Sequence, residues 1–151
     1  MSNSHHLYEK IILDHNRAPR NFGKLPSPDI IVEASNPLCG DTFQIYLQLD
    51  GNVIQALHFE GNGCAISKAS ASLMTTLLKG KTKSEAQNLL ESFQTMLNSE
   101  PTESMEESEL GELVAFSEVR KFPMRIKCAA LTWRALDSVL SSDESCTHPT
   151  K

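Results

Sequence analysis

The fold is decided by residues 42–60, which read TFQIYLQLDGNVIQALHFE. Apolar and polar residues alternate through 42–49, which is typical of a strand with one buried face. The turn sequence DGN at 50–52 predicts a hairpin, and 53–60 is the returning strand. With a further strand at 30–35, the sequence predicts an antiparallel sheet with one apolar and one polar face. The residues assigned to the buried face of the hairpin are Phe43, Ile45, Leu47, Leu49, Val53, Leu57 and Phe59.

Apolar residues at helical spacing account for most of the remaining chain. A capping-box sequence, TKSE at 82–85, marks the start of one helix. The sequence therefore predicts an α+β fold in which a three-stranded antiparallel sheet packs with about five or six helices. Residues 1–140 are expected to form this single domain, and the polar residues 141–151 a disordered tail. The predicted helices are 7–16, 65–78, 83–98, 110–119 and 128–140.

The composition is that of a globular protein and excludes several classes of partner. The chain has 151 residues, of which 40% are hydrophobic, and 14 Lys and Arg against 19 Asp and Glu give a formal net charge of −5. This acidic balance argues against nucleic-acid binding, which needs a basic face to neutralise phosphates. No apolar run approaches the length that spans a bilayer, and residues 1–6 lack the pattern of a signal peptide. We therefore expect a cytoplasmic protein with neither nucleic acid nor membrane as a partner.

Two of the four cysteines are predicted to converge. In a reducing compartment, cysteines are more often metal ligands or reactive thiols than disulfides. Cys39 lies between the first and second predicted strands, and Cys64 follows the third. Because the second and third strands are equally long and antiparallel, both thiols are expected at the same edge of the sheet. Asp41 joins them, since positions i and i+2 of an extended chain face the same side and Gly40 adds no side chain.

A third thiol, Cys128, is predicted at the start of the last helix. Helix N-termini favour negative charge, so this position and that of Cys64, just before a helix, both favour a thiolate. Arg125 and Lys127 place positive charge next to Cys128. The spacing alone does not decide whether this helix end reaches the other three candidate ligands.

Other interpretations of these residues are open at this point. A buried cysteine is often a small core residue, and Asp41 can simply end a turn. His15 or His58 could pair with a cysteine as in thiol hydrolases, although each also fits the face of its own helix or strand. Cys146, in the tail, is expected to be an exposed bystander.

Three short segments resemble the ligand motifs of a known family. They are NPLCGD at 36–41, GNGCAIS at 61–67 and KFPMRIKCA at 121–129. In this order they resemble the three motifs of the U-type iron–sulfur assembly proteins, and the chain most resembles the SufU branch. The resemblance extends over residues 7–140 and implies the SufE/NifU-like α+β fold.

The resemblance also implies a chemistry. It implies a tetrahedral zinc site, with zinc as the cofactor, made by Cys39, Asp41, Cys64 and Cys128. It implies that Cys39 accepts persulfide sulfur from a SufS-type cysteine desulfurase, a sulfurtransferase-like activity that serves the downstream iron–sulfur assembly machinery. In this mechanism a histidine of the desulfurase replaces Cys39 on zinc, which frees the Cys39 thiolate. From its position next to Cys128, Arg125 is a candidate to take up the charge of a carboxylate or thiolate during the exchange, and Lys127 either does the same or is solvated.

Two departures from the scaffold branch of the family, IscU, favour sulfur transfer over cluster building. Lys127 stands where that branch has a histidine, and the LPPVK chaperone-recognition motif of that branch is missing. Extra acidic chain lies between Cys64 and Cys128 instead, as in SufU-type proteins. The alternative is a scaffold that assembles a transient [2Fe–2S] cluster on the same ligands and transfers it to apo proteins, because thiolates suit both zinc and clusters. A zinc-stabilised interaction module without sulfur chemistry is the third interpretation.

Overall fold

The computed structural model describes residues 2–37, 40–99 and 110–140, with side chains from His6 onward. The strands are β1 (Ile30–Asn36), β2 (Asp41–Asp50) and β3 (Val53–Asn62). The helices of the described ranges are α1 (Ser2–Arg17), α2 (Ala65–Leu78), α3 (Lys83–Leu97), a 3₁₀ helix (Gly111–Lys121) and α4 (Pro123–Leu140). This arrangement confirms the predicted α+β fold with a three-stranded sheet. The predicted tail, 141–151, lies outside the described residues.

The strands form the predicted antiparallel meander, with β2 between β1 and β3. The residues assigned to the core in the middle of β2 are buried, as predicted. A bulge between Gln48 and Leu49 shifts the register next to the turn. The alternation of buried and exposed residues shifts with it, so Ile54, rather than the predicted Val53, is fully buried at the start of β3.

The helices cover one face of the sheet and complete the core. Trp133 of α4 is fully buried and lies against Phe93 of α3, with ring centroids 4.5 Å apart. The predicted capping box is present at the start of α3, where the side chains of Thr82 and Glu85 each accept the other's backbone N–H. Burial of apolar side chains such as Trp133 and Phe93 is the main driving force for the fold. Within the described ranges, every helix is too short or too polar to cross a membrane.

Two helices begin earlier than predicted. α1 begins at Ser2, because helical structure extends into polar residues that carry no apolar periodicity. α4 begins at Pro123 rather than at Cys128. Proline is well tolerated in the first helical turn, where its missing N–H would have no partner in any case. Cys128 therefore lies in the second turn of α4, and the predicted stabilisation of its thiolate by a helix N-terminus is wrong. The helix predicted at 110–119 is the 3₁₀ helix.

Candidate metal centre

Three of the four predicted ligands converge at one end of the sheet. A carboxylate oxygen of Asp41 and the Sγ atoms of Cys64 and Cys128 all lie within 4.8 Å of one another. Asp41 begins β2, Cys64 immediately precedes α2, and Cys128 lies in α4. The fourth predicted ligand, Cys39, lies outside the described residues, two positions before Asp41 in the chain.

The hairpin brings Asp41 and Cys64 together. Thr42, near the start of β2, pairs with Asn62 at the end of β3, so both strand ends lie at the same edge. The backbone N–H of Cys64 donates a hydrogen bond to Oδ1 of Asp41, with a nitrogen–oxygen distance of 3.0 Å. The orientation of the carboxylate is therefore coupled to the position of Cys64.

Close packing just before Cys64 requires two glycines. A Cβ on Gly61 would clash with the carbonyl oxygen of Thr42, and the φ angle of Gly61 is 135°. A Cβ on Gly63 would lie 2.6 Å from the ring of Phe43. A side chain at either position would push the segment that carries Cys64 away from β2.

Cys64 is the N-cap residue of α2. Its Sγ accepts a hydrogen bond from the backbone N–H of Ser67 at 3.4 Å and lies 3.5 Å from the Ser67 hydroxyl oxygen. The unpaired N–H groups and the dipole of a helix N-terminus favour negative charge at this position. At Cys64, unlike Cys128, the predicted helix N-terminus is therefore present beside the sulfur.

The Asp41 carboxylate is the strongest indication that this end of the sheet binds a cation. Asp41 is 2% exposed, and its Oδ2 is buried without a hydrogen-bond donor among the residues that the structure describes. An unpaired buried carboxylate oxygen is unfavourable, and a neighbouring cation would remove that cost. One carboxylate and two thiol sulfurs around a common space form a donor set of the kind that holds zinc. The residues present therefore fit a zinc ion, with Cys39 as the predicted fourth ligand.

Cys128 is buried, and a hydrogen-bonded contact between α2 and α4 holds its neighbourhood in place. The Ser70 hydroxyl of α2 donates to the carbonyl oxygen of Ala129 over 2.6 Å, and Trp133 Nε1 donates to the same hydroxyl over 2.9 Å. Ser70, Ala129 and Trp133 are fully buried. This contact sets the position of α4 against α2, and with it the distance between Cys64 and Cys128.

Positive charge lies close in the chain to the buried thiol of α4. Arg125 is exposed, and its guanidinium lies over the ring of Phe122, 4.6 Å from the ring centroid. Lys127 is also exposed. A guanidinium above an aromatic ring gains about 0.5–1 kcal/mol at an exposed site. The Phe122 ring therefore restrains Arg125, the residue predicted to take up charge during the exchange.

Tyr8 is a neighbour of the centre that the sequence did not predict. Burial raises the pKa of its hydroxyl, the charge of Arg125 acts in the opposite direction, and negative charge on Cys64, Glu118 or Cys128 adds to the rise. Its ring packs edge-on against Phe116, with centroids 6.0 Å apart. Because Tyr8 has helical spacing with other apolar residues of α1, periodicity alone explains it as a core residue.

Two histidines, His15 and His58, were considered as partners of a reactive thiol. Nδ1 of His15 forms a 2.7 Å hydrogen bond with the hydroxyl oxygen of Ser72 on α2. His58 lies in the middle of β3, opposite Tyr46 of β2. Neither histidine belongs to the group of three candidate ligands, so the described residues give no support to a Cys–His hydrolase pair. Cys146 lies outside these residues.

The sequence of this chain is similar to those of known proteins over most of its length. The family model described as the NifU-like N-terminal domain matches residues 7–129. The chain is 41% identical to the zinc-dependent sulfurtransferase SufU of Bacillus subtilis (strain 168), over 91% of this chain and 92% of that protein. It is 37% identical to the iron–sulfur cluster assembly scaffold protein IscU of Streptococcus pyogenes serotype M1, over 99% of this chain and 92% of that protein.

A solved structure is similar over almost the same length. It is the crystal structure of a proposed iron–sulfur cluster assembly scaffold protein for the SUF system from Fervidobacterium islandicum AW-1. The TM-score is 0.80 at 35% sequence identity, and the match covers 91% of this chain and 98% of that chain. These similarities confirm the expected α+β fold and the family resemblance that the three ligand motifs indicated.

Proposed function

Because the chain belongs to the NifU-like N-terminal domain family and to its IscU/SufU group of iron–sulfur cluster assembly proteins, we propose that it transfers sulfur for cluster assembly. In this proposal Cys39 accepts sulfur as a persulfide from a SufS-type cysteine desulfurase and passes it to the downstream assembly machinery. The similarity to a relative named as a zinc-dependent sulfurtransferase supports this assignment. Lys127, at the position where the scaffold branch is expected to have a histidine, also supports it.

The arrangement of Asp41, Cys64 and Cys128 is the observation that carries the proposal. In the zinc-bound protein, Oδ2 of Asp41 would face the ion while Oδ1 keeps its hydrogen bond to the Cys64 N–H. Cys64 and Cys128 would each offer a sulfur, and Cys39 the fourth position. Zinc, when bound, keeps the thiols that hold it in the thiolate form at neutral pH.

The sulfur step that we propose needs no oxidant or reductant. The Cys39 thiolate attacks the terminal sulfur of the cysteine persulfide on the desulfurase. The sulfur–sulfur bond of that persulfide breaks, a persulfide forms on Cys39, and the desulfurase cysteine leaves as a thiolate. Asp41, Cys64 and Cys128 are not consumed and keep their places during the transfer.

Arg125 has a supporting task in this proposal. Three thiolates and one carboxylate around a divalent ion carry a net charge of −2 by formal count. The exposed Arg125 guanidinium is restrained over Phe122 and lies three residues before Cys128 in the chain, so it is suited to offset part of that charge. We propose that Arg125 offsets the negative charge of the carboxylate or thiolate that loses contact with the ion when Cys39 leaves the centre.

Metal analysis combined with mass spectrometry tests the proposal. The purified chain should contain one zinc per molecule. After incubation with a SufS-type desulfurase and cysteine, the peptide that contains Cys39 should gain the mass of one sulfur atom, and the peptides that contain Cys64 and Cys128 should not. A chain that binds zinc but never carries sulfur on Cys39 would contradict the proposal and favour a zinc-stabilised interaction module.

Cluster assembly on the same ligands is the second candidate, and the similarity to IscU supports it. Anaerobic incubation with iron and sulfide distinguishes the two functions. A scaffold would develop the visible absorption of a [2Fe–2S] cluster and pass the cluster to an apo protein. A sulfur carrier would keep its zinc and show neither property.

A further inference from the structure

The two edges of the sheet differ in how their backbone is covered. At the outer edge of β3, Phe59 exchanges backbone hydrogen bonds with residues 21–23, and Ile54 does so with residues 80–81. At the outer edge of β1, no described residue forms a strand with 30–35 or a backbone hydrogen bond across that edge. Because uncovered strand edges pair readily with other chains, proteins normally cover or blunt them. Among the described residues, one edge of the sheet is covered and the other is not, and an uncovered strand edge is suited to strand addition.

A groove of about 580 Å³ lies between this open edge and α4. Its walls are residues 32–36 of β1 and one face of α4. One end of the groove is next to the candidate metal centre, since Asn36 pairs with Asp41 and Lys127 precedes Cys128. A segment bound in the groove would therefore place one of its ends beside the centre.

The charge of the groove favours an acidic occupant. Its α4 wall carries Lys127 and Arg134, both exposed and without an ion-pair partner in the part of the chain that the structure describes. Two helical turns separate them, about 10 Å, which is roughly the length of three residues of extended chain. The β1 wall contributes one exposed carboxylate, Glu33, so the two cations of α4 outnumber the acidic residues that line the groove. Carboxylates on an extended segment could therefore reach both cations.

We propose that the groove between β1 and α4 docks an extended, acidic segment of the sulfur-donating desulfurase, which adds to β1 as a fourth strand. Backbone hydrogen bonds to β1 supply affinity, as in other cases of strand addition, and contacts with Lys127 and Arg134 select acidic side chains. The identity of the partner rests on the proposed function, whereas the binding of an acidic strand does not.

A peptide titration tests the groove directly. The probe is a fluorescent synthetic peptide of alternating Glu and Val, and the matched control peptide has Lys in place of Glu. The acidic peptide should bind the zinc-loaded full chain and shift the backbone amide signals of residues 30–36. Arg134→Glu should weaken that binding by about fivefold or more, because attraction is replaced by repulsion. Lys79 is exposed at the end of α2, outside the groove, so Lys79→Glu should leave the binding of the acidic peptide unchanged.

Equal binding of the two peptides, or unchanged binding by Arg134→Glu, would overturn the proposal. A second measurement separates it from the proposed function. In a desulfurase assay, Arg134→Glu should raise the concentration of this chain needed for half-maximal rate and leave the maximal rate unchanged. Failure of the wild-type chain to accept sulfur would overturn the proposed function alone, whereas equal half-maximal concentrations for wild type and Arg134→Glu would overturn the groove as the desulfurase site.

Discussion

Ser70 and Trp133 are joined by a fully buried hydrogen bond, in which the indole Nε1 donates to the serine hydroxyl over 2.9 Å. The same hydroxyl donates to the carbonyl oxygen of Ala129, the residue that follows Cys128. Since α2 begins directly after Cys64, these two bonds link the helices beside the two described thiols. The packing of the core is therefore coupled to the geometry of the candidate metal centre.

Ser70→Ala should weaken both the fold and zinc binding. Loss of the hydroxyl leaves the buried indole N–H of Trp133 without an acceptor, which costs about 1–3 kcal/mol of unfolding free energy. Urea unfolding measures this loss, and competition with a chelator measures the zinc affinity. Ser138→Ala is the matched control, because that exposed hydroxyl bonds to the carbonyl oxygen of Ala135 on the same helix. Equal effects of the two substitutions on zinc affinity would argue against the coupling.

Asp41→Asn should reduce zinc affinity by about 100-fold or more. Loss of a residue that only hydrogen-bonds to a ligand already costs about 10–100-fold, and Asp41 is proposed to bind the ion itself. The amide can still accept the hydrogen bond from the Cys64 N–H, so the substitution removes charge with little change of shape. Chelator competition followed by metal analysis gives the affinity. Asp29→Asn is the control, because its carboxylate accepts a backbone N–H from Leu49 at the opposite end of β2. Unchanged affinity in Asp41→Asn would exclude Asp41 as a ligand.

Gly63→Ala should lower unfolding free energy and zinc affinity together. Its new methyl group would overlap the Phe43 ring, a form of overpacking that costs about 1–3 kcal/mol, and relief of the overlap would displace Cys64. Gly51→Ala has open space but a φ of 64°, so it should cost about 1–2 kcal/mol by backbone strain alone. Thermal unfolding and zinc titration of both variants separate the two effects. Normal zinc binding by Gly63→Ala would show that the close packing does not position Cys64.

Acidification should destabilise the protein through His15. Burial, assisted by the charge of Arg20, holds the pKa of His15 below its usual value of 6.5. As the pH falls below about 6.5, the unfolded chain binds this proton before the folded chain does. The stability contributed by neutral His15 is complete above that pH and is lost as the pH falls through the lower folded pKa.

The variant His15→Asn tests this pH dependence. Its amide can keep a polar group near the Ser72 hydroxyl oxygen, but it does not titrate. Unfolding free energies measured from about pH 7.5 to 5 should fall more steeply for the wild type than for the variant. The metal ligands are the same in both proteins, so their titration cancels in the comparison. Parallel pH profiles would show that His15 does not contribute.

Cys39→Ala should abolish sulfur acceptance and leave much of the fold in place. In single-turnover reactions with a persulfide-loaded desulfurase, the variant should remain unlabelled because the attacking thiolate is missing. Cys146→Ala is the matched control and should accept sulfur at the wild-type rate. Normal transfer to Cys39→Ala would assign the nucleophile to another residue.

Most of the fold was predictable from local sequence. The alternation around the DGN turn predicted β2 and β3, and the TKSE capping box predicted the start of α3. These signals involve residues within a few positions of one another, where turn and capping chemistry act directly. The start of α4 at Pro123 was missed, and the predicted start lay five residues later, at Cys128. Proline interrupts the interior of a helix but is tolerated in the first turn, so its presence alone does not show whether a helix ends or begins there.

The sequence by itself determined that Asp41 and Cys64 lie together, because a hairpin with two strands of equal length returns the chain to the edge from which it started. The motif resemblance implied that Cys128 joins them, but only the tertiary structure shows it. No local rule connects that residue to the sheet edge. Its position depends on how α4 packs against α2, through Ser70 and Trp133, and such contacts form only between segments far apart in the chain. Within the ranges that the structure describes, the uncovered edge of β1 was likewise decided by packing, since covering an edge depends on where distant segments come to lie.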